Sequence, residues 1–333
     1  MAVYSPTGVT VQADTVLTNI SLDYAQNVDY IGEKLFPTVP VKKQAGKYFV
    51  FGREAWIPEN GDYRAPGTEA NEIPGLDLSN DTFYAQEHAL QIAVTDEERE
   101  NVDSPLAPDR DGTELVTGKI LLGRELAVRS LVMNVSNYAA GFSVALTGGA
   151  QWSDYANSDP VADIKRGIRT IHGRIFMDPN LAVIPYEVMS VLEDHPKIMQ
   201  RIMYTDRAIL TPEIIQSVLG LPNVIVPGVA YSTSALGTNN MAVVGAYLWG
   251  KDVLLAYVPP RPGIKTPAFG YEFAWTYGGQ VMLTDRWRED KRASDIIRVR
   301  RRYDLKMVGT ERNTASADFG KSISGYLIKN AIA

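Results

Sequence analysis

One stretch limits the fold of this chain more than any other. From residue 111 to about residue 139 no proline interrupts it. Leu115, Leu122, Leu126 and Met133 recur there at helical spacing, with Val116, Ile120, Ala127 and Leu131 beside them. That periodicity predicts a single amphipathic helix with one wide apolar stripe. At 1.5 Å per residue it would be roughly 42 Å long, so the rest of the body has to be arranged along it. Asp111 is the expected N-cap, with Glu114 at the third helical position. Gly118 and Gly123 weaken the helix locally and allow a bend.

The segments on either side differ in character. Residues 1–40 are weakly patterned, and such an arm either frays or lies on another chain. Within 41–103, residues 47–51 and 82–94 read as strands. Between them runs a long connection with Pro58, Gly61, Pro66, Gly67, Pro74 and Gly75. A connection of that length is uncommon inside a compact domain. The segment holds 13 acidic and 6 basic residues, and it is read as an acidic hairpin projecting from the body. Thr95 and Glu98 form a capping box for a short acidic helix. After residue 158 helices and strands alternate. Helices are expected over 159–172, 185–194 and 211–219, and buried strands over 181–184, 224–226, 242–249 and 253–258. A hairpin turns at Gly278-Gly279 between 271–277 and 280–284, and 295–308 forms one long strand.

Composition mostly excludes. The chain has 333 residues, a formal net charge of -6 and no cysteine, which removes disulfides, thiolate metal sites and cysteine nucleophiles. An acidic chain is a poor wrapper of nucleic acid, although a local basic face is still allowed. No signal peptide or membrane span is visible. Gly112 and Gly118-Lys119 miss the phosphate-loop spacing, and Ile120 stands where a hydroxyl is needed. Asp109, Asp111 and Gly112 lack the rest of a calcium loop and read as helix capping. His88, His172 and His195 have no metal-type partners at helical spacing and read as structural. Asp96, Glu97, Glu98 and Glu100 read as a solvated helix start rather than acid/base machinery. On a strand, Arg298, Arg300 and Arg302 share one face, while Ile297, Val299, Arg301 and Tyr303 share the other. The basic face is either a polar sheet surface, a contact for an acidic surface on another copy, or, least favoured, a nucleic-acid face.

A series of short motifs then carries a family likeness: Ser158-Asp159-Pro160-Val161-Ala162-Asp163-Ile164; Pro179-Asn180-Leu181; Leu192-Glu193-Asp194-His195-Pro196-Lys197-Ile198; Arg201-Ile202-Met203-Tyr204; Leu210-Thr211-Pro212-Glu213; Asn223-Val224-Ile225-Val226; and Leu248-Trp249-Gly250-Lys251-Asp252 through Pro259. In this order and spacing the chain resembles the major capsid proteins of tailed phages with the Hong Kong-97-type fold. The resemblance implies an α+β subunit. Its parts would be an N-terminal arm (1–40), an E-loop hairpin (41–103), a P domain with a long spine helix and long β-strands (104–158), an A domain with a central sheet flanked by helices (159–294), and a P-domain return strand with the C-terminus (295–333).

The resemblance also implies a function: self-assembly into hexamers and pentamers of an icosahedral shell around double-stranded DNA, without catalysis or cofactor. The partners implied are further copies of itself, a separate scaffolding protein, a portal, a decoration protein, and DNA met non-specifically on the inner face. An encapsulin-like shell around protein cargo is the alternative. Candidate contacts between subunits are Lys42, Lys43, Lys47, Arg53, Glu54, Glu59, Asp62, Arg64, Glu69, Glu72, Arg298, Arg300 and Arg302. On this reading the acidity of the hairpin meets the arginine face of a neighbour.

Overall fold

The computed structural model describes residues 2–4, 10–13, 17, 30–51, 66–67, 69, 78–102, 106–202, 212–232, 245–263, 266–311 and 316–333. In chain order its first part contains β1 (Ala2–Tyr4), β2 (Thr10–Ala13), α1 (Gly32–Leu35), β3 (Thr38–Val41), β4 (Ala45–Phe51), β5 (Leu78–Tyr84), β6 (Gln86–Thr95), α2 (Asp96–Asn101) and α3 (Pro108–Val132). Next come β7 (Ser143–Ala145), α4 (Pro160–Ile175), β8 (Leu181–Val183), α5 (Tyr186–Glu193), α6 (Pro196–Ile202), α7 (Pro212–Leu219), β9 (Val224–Ile225), β10 (Ala230–Ser232) and β11 (Gly245–Tyr247). The last elements are β12 (Val253–Ala256), β13 (Gly270–Trp275), β14 (Met282–Glu289), β15 (Ser294–Met307) and β16 (Gly325–Lys329).

The long helix is present but shifted and rotated from its sequence expectation. It starts at Pro108, whose fixed φ suits the first helical position, and its N-cap is Ala107. Asp111 is already inside the helix, and its carboxylate accepts the Ala107 N–H. The helix stops at Val132, and a separate single turn over Val135–Asn137 is capped by Asn134. The buried face is not the leucine stripe: Leu115 is 51% exposed, and Leu122 and Leu126 are only half-buried. Burial falls on Thr113, Val116, Thr117, Ile120, Leu121, Arg124, Glu125, Val128 and Val132. Thr113 and Thr117 return their hydroxyls to the carbonyls of Asp109 and Thr113, so the helix satisfies them itself. That leaves their methyl groups free to pack.

β15 organises a seven-stranded sheet. Tyr303 pairs with both Ala274 and Gln86, and one strand residue can do so only through opposite edges. β6 therefore runs along one edge of β15, while β13 and β14 lie end to end along the other. The turn at Gly278-Gly279 exists, with φ of +59° and +103° and a bridge from Tyr277 to Gln280. Its flanking strands pair with β15 rather than with each other, because β15, with 14 residues, is long enough to hold both. Likewise β6 is not part of the hairpin: it pairs with β15 over ten residues, from Gln86 to Thr95. The hairpin is β4 with β5, a separate two-stranded sheet.

A second sheet of five strands runs β7-β16-β12-β8-β9. All four residues of β12 are buried, as the continuous apolar run of a central strand requires. α4 begins with Asp159 capping the Ala162 N–H and Pro160 at its first position. It crosses this sheet at Gly167, where an added Cβ would stand 2.7 Å from Leu255 Cδ1 and 2.8 Å from Tyr326 Cδ1. β11 departs from expectation: Gly245–Tyr247 is exposed or half-buried, and burial starts only at Leu248 and Trp249.

Candidate assembly surfaces

The arginine face of β15 is built as its alternation predicts, but its partners belong to the same chain. Arg298 Nη2 lies 2.9 Å from Asp285 Oδ2, and Arg300 Nε lies 2.6 Å from the same oxygen. Arg300 also approaches Glu87 at 3.8 Å, and Arg302 Nε pairs with Glu87 at 2.6 Å. Burial works against the Glu87 carboxylate, yet Arg302 and Arg300 outweigh it and hold its pKa below the usual range. Aromatic rings complete the face. Arg302 lies 4.0 Å from the rings of both Trp275 and Tyr277, and Arg298 sits 4.9 Å from Trp287. Interleaving is thus achieved across strands, invisibly to a reading along β15. Asp285 comes from β14 and Glu87 from β6, the two strands that flank β15.

The opposite face of β15 holds a buried ion network. Glu272, fully buried, takes Arg301 at 2.7 Å and the Arg124 Nε at 2.6 Å. Burial alone would raise its pKa, but Arg301 and Arg124 reverse that and keep it lowered. Next to Arg124, Glu125 accepts the N–H groups of Ile31 and Gly32 and the indole N–H of Trp249. Its pKa is raised by burial, which those hydrogen bonds only partly offset. One turn of α3 therefore ties together the segment before β3, the loop before β12 and the large sheet.

The histidines have structural partners. His195 is buried; its Nδ1 accepts the Lys197 N–H, which leaves Nε2 to donate to Ser158 Oγ at 3.0 Å. Ser158 in turn donates to the Asp154 carbonyl. Burial, then the charge of Lys197, holds the ring below the ordinary histidine pKa, with Asp159 opposing. His88 stacks on Tyr303, and His172 meets Asp178. Among the described residues no group of His, Asp and Glu is arranged to hold a metal ion.

The other contact candidates divide. Lys42, Lys43 and Lys47 are exposed at the base of the β4–β5 hairpin, and Glu69 is exposed. Arg53, Glu54, Glu59, Asp62, Arg64 and Glu72 lie outside the described residues. The hairpin base rests on the body through Phe83 and Tyr48, which pack on Phe273 at 4.8 and 4.9 Å between ring centroids. Beside it opens an apolar cleft of about 270 Å³, lined in part by Val39, Phe49, Pro262, Tyr271 and Val308. Among the described residues no helix is long and apolar enough to cross a membrane.

No family model matches the chain. It is 29% identical over 294 residues to the major capsid protein of Burkholderia phage BcepMu, covering 86% of this chain and 91% of that one. The crystal structure of a phage-related protein from Bordetella bronchiseptica RB50 superposes with a TM-score of 0.71 at 25% identity, over 96% of this chain and 98% of the other. The mature capsid of bacteriophage PhiM1 shares the fold at 12% identity, with a TM-score of 0.53 and coverage of 91% and 87%. By sequence and by fold, the chain is a homologue of phage major capsid proteins, with the Hong Kong-97-type architecture.

Proposed function

We propose that this protein is a structural shell subunit that self-assembles into hexamers and pentamers of an icosahedral phage capsid enclosing double-stranded DNA. The observation that carries the reading is sequence similarity to a phage major capsid protein along nearly the full length of both chains. In this role β4 and β5 form the base of the E-loop, α3 is the spine helix, and the five-stranded sheet with its helices is the A domain, which then takes in β7 and β16 from outside residues 159–294 and leaves β13 and β14 to the large sheet. The subunit performs no chemistry: its side chains hold sheets together and meet neighbours. Further partners are a scaffolding protein, a portal, a decoration protein and the packaged DNA. The encapsulin-like alternative ranks second because the sequence likeness runs to phage capsid proteins.

Purified protein at rising concentration, viewed by negative-stain electron microscopy, tests this directly. Closed shells or their hexameric and pentameric pieces are expected. A protein that stays monomeric at high concentration, with and without scaffolding protein, overturns it.

A further inference from the structure

Two clusters of opposite charge lie toward the two ends of β15, and their outermost side chains make no ion pair among the described residues. At one end the Ala85 N–H bonds the Gln44 carbonyl, and Gln86 pairs with Tyr303. This places Lys42, Lys43 and Lys47 near Tyr303; all three are exposed, and among the described residues none makes an ion pair. At the other end the Asp96 N–H bonds the Ala293 carbonyl, and Thr95 pairs with Ser294. There α2 buries none of its residues. Its Arg99 turns inward to Asp109 and Asp295, and Asp96 is taken by Arg288. Glu97, Glu98 and Glu100 are left facing outward. Glu98 closes the helix cap, while Glu97 and Glu100 have no ion pair among the described residues.

Ser294 and Tyr303 are nine positions apart on one strand, so the two patches are separated by roughly 30 Å. At physiological salt the screening length is about 8 Å. The patches therefore cannot neutralise each other within one copy. They can do so between copies, in a head-to-tail contact of the kind that closes rings.

Apolar surface accompanies both patches. In the β4–β5 register Ala45 faces Tyr84, Lys47 faces Thr82 and Phe49 faces Asn80. Phe49 and Tyr84 are 53% and 55% exposed, so they flank Lys47 on the outer face of the hairpin. On the acidic side Leu106 is 65% exposed, just before the start of α3 that Arg99 ties to α2 through Asp109. An apolar centre with a charged rim is the usual anatomy of a specific interface.

We propose that the hairpin base of one copy docks on the α2 knob of a second copy. Lys42, Lys43 and Lys47 meet Glu97, Glu98 and Glu100, with Phe49 and Tyr84 as the apolar centre. The inference rests on the shell-subunit reading and names one of its contacts. It also reverses the polarity expected from sequence: the hairpin base is the basic partner, and the β15 arginines take no part because Asp285 and Glu87 already occupy them.

The test is a charge swap in the full-length protein. The variants are K42E/K43E/K47E, E97K/E100K and the combination of all five, each checked for an unchanged thermal midpoint. Either set alone is expected to raise the concentration needed for assembly about tenfold or more at low salt, with the defect shrinking when the wild type is compared at high salt. The combination is expected to restore assembly to within about threefold of wild type. Single sets that assemble like wild type, or a combination no better than its worse parent, overturn the contact. So does a lysine set that assembles normally yet loses bound DNA, which would assign those lysines to nucleic acid. A wild-type protein that never assembles in the same series overturns the shell reading itself, an outcome distinguishable from all of these.

Discussion

The five-stranded sheet and the β4–β5 hairpin belong to one chain but bury their surfaces in opposite ways. β12 pairs with β8 on one side and β16 on the other, and every one of its side chains is buried. The hairpin has two strands, and an isolated pair is marginal in water. One face is anchored by Phe83 and Tyr48 on Phe273, while the other leaves Phe49 and Tyr84 exposed. The sheet is stable through contacts inside the chain, whereas the hairpin presents surface that further copies can cover. Mutations should therefore separate into those that unfold the subunit and those that leave it folded but unable to assemble.

The largest effect is expected where charge is buried. Glu272→Ala leaves Arg124 and Arg301 without their shared carboxylate, and breaking such a group costs about 3–5 kcal/mol. Chemical denaturation of the unassembled subunit would measure it; a loss under 1 kcal/mol would mean that water replaces the carboxylate. Arg300→Glu comes next. Were the arginine face a contact for a neighbour's acidic hairpin, a reversal there would spoil assembly and spare the monomer. With Arg300 against buried Asp285, the monomer itself should lose about 2 kcal/mol. An unchanged denaturation midpoint would return Arg300 to the interface.

The acid response sharpens the contrast further. The folded chain holds His195 neutral, with its pKa below the ordinary value, so the unfolded chain binds the proton first as pH falls. The contribution of His195 is intact above about pH 6.5 and is lost as pH drops through the ordinary histidine range toward the lowered folded value. Glu272, also lowered, acts only below the ordinary carboxylate range. His195→Gln should flatten the stability profile as pH falls below about 6.5; a profile identical to wild type would remove His195 as the cause. The smallest effect on the monomer is expected from Phe49→Ala, within about 0.5 kcal/mol because the side chain is exposed. Its consequence should instead be seen in light scattering as weakened assembly.

Much of the chain was legible along its length because local chemistry settled it. The Thr95–Glu98 capping box, the Asp159-Pro160 start of α4 and the 14-residue strand β15 all depend on neighbours a few residues away. The arginine face was legible as a face, since alternation is a property of any strand. Its distant partner was not: Glu87 is 215 residues from Arg302, just as on the opposite face Glu272 is 148 from Arg124. The buried side of α3 was misread for a related reason. Hydropathy points to Leu115 and Leu122, while burial in fact falls on Thr113, Thr117, Arg124 and Glu125. Those polar groups are tolerated inside because each finds a hydrogen-bond or ionic partner.

The sequence by itself determined the α+β order of elements, the long helix, the strand alternation and the family likeness. These follow from local periodicity, capping and short motifs. Only the tertiary structure decided that β13 and β14 share one edge of β15, that β6 belongs to the body, and that the arginines are satisfied at home while the lysines of the hairpin base are left exposed. Which charges stay available to a second copy depends on which ones folding has already paired, and that pairing needs β6, β14 and β15 side by side in one sheet.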